Sequence, residues 1–209
     1  MHIEPGYLTA AKVAAANVAA LGVMAAYLPP LLKRPSLILR TLLAAGFFSL
    51  FMQVFHLPVG PSELHFVGAM PIYLLLGLVP TLLGFGLGLL LQGLLFNPAD
   101  LLHLGVNTLS LVLPLLAVHY SLGRHIERID LRTILKLDAA YYGGVTLMVG
   151  FWLLLSQDVT PLADWALFAG AYIAVVAVEP LVTLALVRLV QPYSGSRLLR
   201  LCVDLPARA

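Results

Sequence analysis

Charge is what this chain lacks most. Of its 209 residues only 11% are Asp, Glu, Lys or Arg, against 61% hydrophobic, where a soluble domain carries about 25% charged and about 45–50% apolar residues. A water-soluble reading is excluded on that ground. A single cysteine, Cys202, excludes an internal disulfide and any cysteine-based metal cluster. The formal charge of +2 is too small to argue for nucleic acid as a partner. No Gly-x-x-x-x-Gly-Lys-Ser/Thr phosphate loop occurs, so this chain is not expected to hydrolyse ATP. The opening MHIEPGY has neither a basic n-region nor a small-residue cleavage pattern, so the mature chain is expected to begin at Met1.

What is present is a series of long apolar runs. An α-helix rising 1.5 Å per residue needs about 20 residues to cross about 30 Å of hydrocarbon. Five stretches qualify directly, at residues 8–28, 37–55, 104–121, 139–156 and 165–190. A sixth, residues 66–96, is long for one span and carries Pro80 at its centre. If Pro80 and Thr81 turn the chain there, seven spans result, with the third and fourth unusually short. Residues 126–137 read as an interfacial helix joining the fifth and sixth spans.

Charge placement favours seven. Residues 29–36, 122–138 and the tail after Gln191 then share one side, with Lys33, Arg34, Arg40, Arg124, Arg128, Arg132, Lys136, Arg188, Arg197, Arg200 and Arg208. Only Lys12 is left over. Glu4, Glu63, Asp100, Asp158 and Asp164 fall on the other side, so the positive-inside rule predicts an outside N-terminus and an inside C-terminus. The expected fold is all-α: one polytopic membrane bundle over residues 1–209, surrounded by lipid, with about seven transmembrane helices.

Four of the six histidines, His2, His56, His65 and His103, belong to the outer segments. Imidazole is the commonest nitrogen ligand of transition metals, although an interfacial histidine can equally cap a helix. The position of His2 carries more chemistry. A histidine directly after the N-terminal residue chelates through the α-amine, its own deprotonated amide and its ring, placing three nitrogens in one plane. One further imidazole completes a tetragonal set, which suits Ni(II) or Cu(II) better than tetrahedral Zn(II).

The opening MHIEPGY, the loop HLPVGPSELHFVGA at 56–69, the stretch LGVNTLSLVLP at 104–114 and the late VEPLVT at 178–183 together resemble the CbiM/NikM family. These are the substrate-capturing permease components of energy-coupling-factor (ECF) transporters for cobalt and nickel. The resemblance runs in order over most of the chain. It implies a metal-binding N-terminal segment, 1–7, and an outer loop, 56–65. Co(II) or Ni(II) would be held by the Met1 amine, the His2 amide, the His2 ring and the His65 ring. His56 is the competing fourth ligand. The resemblance also implies partners: an ECF transmembrane coupling subunit, ATPase subunits and a small membrane subunit, in a bacterial inner membrane. The chain departs from the family in reading Glu4-Pro5-Gly6 after the opening MHI, and in lacking a histidine ahead of the VEP motif.

Two polar residues inside apolar runs are candidates for supporting the ligands. Glu179 lies mid-span, where an ionisable group points to function by default, and Asn107 could orient a ligand histidine. Small residues recur at Ala11, Ala15 and Ala19 and at Gly84, Gly86 and Gly88, and both groups are expected to serve packing within the bundle.

Two rival classes are weighed against a transporter subunit. His103 and Asn107 reproduce a His-x-x-x-Asn spacing of rhomboid-like intramembrane proteases, but no Gly-x-Ser-Gly nucleophile motif lies in a span. A ligand-free structural membrane protein is the second rival, separable by metal analysis.

Overall fold

A computed structural model describes residues 2–3, 6–54, 56–59, 62–157 and 161–204, without the side chains of 2, 3, 56–58, 62 and 63. Strand β1 (His2–Ile3) is followed by helix α1 (Ala10–Ala26), short α2 (Pro29–Lys33) and α3 (Pro35–Val54). Strands β2 (His56–Val59) and β3 (Ser62–His65) lead to α4 (Ala69–Leu76) and α5 (Leu78–Leu95). A 3-10 turn, Pro98–His103, opens directly into α6 (Leu104–Ser121). The chain closes with α7 (Leu131–Leu154), α8 (Leu162–Val190) and α9 (Arg197–Cys202). Among the described residues, six helical stretches are long and apolar enough to cross a membrane: Ala10–Lys33, Pro35–Val54, Leu78–Leu95, Pro98–His125, Leu131–Leu154 and Leu162–Tyr193. The fold is a polytopic helical membrane bundle, with one small antiparallel sheet of order β1-β3-β2 added at one end.

Helices α3 and α5 run parallel. Gly84 faces Ala44 and Gly88 faces Phe48, close enough that a Cβ on either glycine would collide. Further along, Gln92 Nε2 donates to the Ser49 carbonyl at 2.9 Å, and Gln53 Nε2 to Gln92 Oε1 at 2.6 Å. Two consecutive parallel helices require the chain between them to return across the bundle. That return is composite: the β2–β3 hairpin, an irregular stretch at 66–68, and α4, whose eight residues rise only about 12 Å.

The break between α4 and α5 is therefore at Gly77, not at Pro80 and Thr81 as the proline suggested. Gly77 has φ 88° and ψ 169°, a backbone region open essentially to glycine alone. Pro80 sits in the first turn of α5, where a missing N–H breaks no intrahelical bond. Only the return pass is short, since α5 is a full 18 residues.

A second correction concerns α7, which starts at Leu131 rather than 139. Residues 126–130 are non-helical, and the expected interfacial helix is partly linker and partly α7 itself. Asp130 is the N-cap, its Oδ1 accepting from the Thr133 amide at 2.7 Å. The small-residue patterns divide. Gly84, Gly86 and Gly88 are packing positions, against Ala44, Met24 and Phe48. Ala11, Ala15 and Ala19 instead lie exposed on α1, whose buried alanines are Ala16 and Ala20.

Long-range contacts sort the loops to two ends. At one, the Tyr27 and Tyr120 hydroxyls meet at 3.1 Å. There too, Arg40 on α3 grips the C-terminal segment, donating to the carbonyls of Arg200, Leu201 and Val203 and pairing with Asp204 at 2.8 Å. This is the basic end. At the other, the sheet end, Lys12 Nζ donates at 2.7 Å to the carbonyl of Leu155, the C-cap of α7. The one cation outside the basic cluster thus finishes a helix C-terminus, where positive charge is favoured.

Candidate metal-capture site

The sheet brings three histidine positions together through its backbone. In the β1–β3 pairing His2 lies opposite Glu63, two residues from His65, and in the β2–β3 pairing His56 lies directly opposite His65. Met1 and the side chains of His2 and His56 lie outside the described residues. His65 is buried at 5% exposure, and its Nδ1 lies 3.4 Å from the Met52 carbonyl. A ring that donates Nδ1–H to a carbonyl carries its lone pair on Nε2, the usual preparation of a metal-binding histidine. Sheet formation follows from sequence here. Pro58, inside β2, lacks the N–H that a helix would need, and the β2–β3 pair supplies the edge that β1 extends.

Behind the sheet stands Glu179. It is fully buried on α8, and its Oε1 accepts from the Met70 amide at 2.9 Å, while the Tyr142 hydroxyl donates to Oε2. Met70 is in the first turn of α4, whose N-cap Gly68 (φ 63°) has no side chain to offer. A carboxylate from α8 therefore caps α4, three residues past His65, where the helix dipole favours negative charge. Asn107 is buried on α6 at 1% exposure and is hydrogen-bonded or otherwise engaged. The first turn of α6 is pressed onto α1, with the Gly105 amide donating to Asn17 Oδ1 at 2.7 Å.

One residue here was not singled out by sequence reasoning. Asp138, assigned to a loop with its charged neighbours, is completely buried on α7, beside Glu179. The signal was available, because the buried face Ile134, Leu137, Tyr141, Tyr142 and Val145 has the 3.6-residue period of one helix running through position 138. His103, named above among the outer histidines and with Asn107 in the His-x-x-x-Asn spacing, lies at the junction of the 3-10 turn and α6. The protease arrangement does not assemble. Ser194 lies beyond α8 at the basic end, away from His103, and the Ser110 hydroxyl is engaged by the Val106 carbonyl and the Trp152 indole.

The chain is thus a multi-pass bundle with three histidine positions on one small sheet at one end, backed by a buried carboxylate that caps the helix following one of them. Residues 2–196 match the family model CbiM, the cobalt uptake substrate-specific transmembrane region, and the chain belongs to that family. It is a membrane component of metal uptake. Among solved structures it is similar to one described as a transition metal transporter, with a TM-score of 0.75 and 22% identity, over 95% of this chain and 96% of that one. That likeness establishes the fold. No curated protein sequence matches it significantly.

Proposed function

We propose that this chain is the substrate-specific component of an ECF-type importer that captures Co(II) or Ni(II) at its sheet end. The Met1 amine, the His2 amide and ring, and the His65 ring supply the four nitrogens, and His56 is the alternative fourth donor. Glu179 and Asn107 act on the ligands through the elements that carry them. ATP hydrolysis belongs to separate ATPase subunits, reached through a transmembrane coupling subunit, with a small membrane subunit as a further partner. The basic end faces the cytoplasm of a bacterial inner membrane by the positive-inside rule, and the chain makes seven passes if the composite return is counted as one.

The observation that carries this reading is the register of β1 on β3. A two-residue strand laid against the His65 strand brings the N-terminal chelate to the one described imidazole already prepared by a carbonyl. The test is a metal titration of detergent-purified protein with a native N-terminus. One residue added before Met1, His2→Ala or His65→Ala should each abolish tight binding, whereas His56→Ala should lose roughly tenfold, as for a supporting residue. Equal affinity of extended and native chains would overturn the reading, and an empty site in His56→Ala with a filled one in His65→Ala would exchange the two histidines.

A further inference from the structure

The last of the outer histidines poses a separate problem. His103 is 3% exposed, and among the described residues neither of its ring nitrogens has a hydrogen-bond partner. A buried polar group left unsatisfied costs about 1–3 kcal/mol, and such groups in native proteins call for a specific explanation. Helix capping does not provide one. His103 occupies the N-cap position of α6, yet its side chain makes no cap bond. The other histidines with buried or half-buried rings are engaged, His65 at the Met52 carbonyl and His119 at the Tyr73 hydroxyl, 2.7 Å away.

Location supplies the explanation. The 3-10 turn that ends in His103 and helix α6 both pack against β1, the strand formed by His2 and Ile3. The buried, orphaned ring thus belongs to a turn that packs against the segment carrying the N-terminal chelate. An in-plane set of amine, amide and two imidazoles leaves the axial directions of the metal open to another neutral nitrogen donor.

We propose that His103 is a third imidazole ligand of the captured metal, donating from the α6 side to the ion held by the N-terminal chelate and His65. The proposal rests on the capture reading above. It gives the ion a donor on the helical bundle itself, in addition to those on the sheet. Filling the site then satisfies one of the two orphaned ring nitrogens, so the empty protein carries a penalty that metal removes in part.

The experiment uses the full chain with its native N-terminus, titrated with Ni(II) and with Co(II), and X-ray absorption to count imidazoles on the bound ion. His103→Leu is the principal variant. Its leucine replaces an unsatisfied polar ring by an apolar side chain, so metal-free thermal stability should be unchanged or raised, while metal affinity falls at least roughly tenfold. The imidazole count should fall from three to two. His103→Gln, polar but without imidazole, should show the same loss of affinity and serves if the leucine variant does not fold. Two imidazoles in both wild type and variant, or an unchanged affinity, overturns the proposal. A lowered metal-free stability with unchanged affinity overturns it too, by revealing a structural partner for the ring. Wild-type protein that binds no metal removes the capture reading and this inference together, whereas tight binding insensitive to position 103 removes only the inference.

Discussion

Helices α4 and α7 are both finished at their N-termini by a carboxylate, and by very different routes. For α7 the cap is local and exposed: Asp130 precedes the helix and accepts from Thr133 three residues on. For α4 the cap is remote and buried: Glu179 arrives from α8, 109 residues away in sequence, and takes the Met70 amide in the core. The difference follows from what surrounds each end. Water satisfies the orphan amides of α7 whether or not Asp130 is there. In the core nothing else can, so α4 depends on its partner. A helix of eight residues is also too short to be stable on its own, and its other end is tied as well, by the Asp204 amide donating to the Leu75 carbonyl at 2.6 Å.

The sharpest way to break the comparison is to remove the buried cap. Glu179→Ala leaves the Met70 amide and the Tyr142 hydroxyl without their acceptor in the core, at about 1–3 kcal/mol each. A loss of about 3 kcal/mol or more is expected in detergent unfolding, together with weakened metal binding, because the strand bearing His65 runs directly into the helix so released. Glu179→Gln keeps an acceptor for Met70 and should retain most of both. If the alanine variant unfolds like wild type, the capping role is wrong.

The same contrast explains what sequence could and could not reveal. The six long helices were legible because their signal is local, a run of apolar residues of bilayer length. Glu179 was legible as an anomaly, a charge inside such a run, but its task was not, since Met70 and Tyr142 are distant in sequence. His2 and His65 were put forward from chelate chemistry and family resemblance, whereas the pairing of their strands in a sheet requires a register that no single strand displays. Pro80 misled because a proline marks a helix start as readily as a break, and the true break needed the positive φ of Gly77. Asp138 was hidden by the charged company it keeps in sequence, whereas His103 was visible as an outer histidine and only its unpartnered burial among the described residues required the packing of the fold.

At the far end of α4 a smaller effect is expected. A Cβ on Gly77 would stand 2.8 Å from Asp204 Oδ2, in addition to being forced into φ 88°. Gly77→Ala should therefore cost about 1–3 kcal/mol in backbone strain, plus the collision with Asp204. Asp204→Ala alone should cost less, about 0–1 kcal/mol, because its side chain is 59% exposed and the ion pair with Arg40 is screened. A double-mutant cycle separates the contributions. Removing Asp204 should relieve part of the Gly77→Ala penalty while leaving the backbone part. A fully additive cycle would mean that the tail does not press on the break.

Asp130 gives the smallest effect and the one that pH can switch. The Thr133 amide, its hydroxyl, and then Arg132 and Arg128 hold the Asp130 carboxyl below its ordinary value of 3.8. A carboxylate depressed in the folded state contributes stability that is fully present above the unfolded value and lost as pH falls through the lower folded one. Melting temperature should therefore drop slightly in Asp130→Ala at pH 7, and the two proteins should converge as pH falls below about 3.9. Asp130→Asn, which keeps a capping oxygen without the charge, should lie between them at pH 7. Should Asp130→Ala instead match the loss seen in Glu179→Ala, burial would not be what separates the two caps, and the contrast between α4 and α7 would have to be traced to the helices themselves.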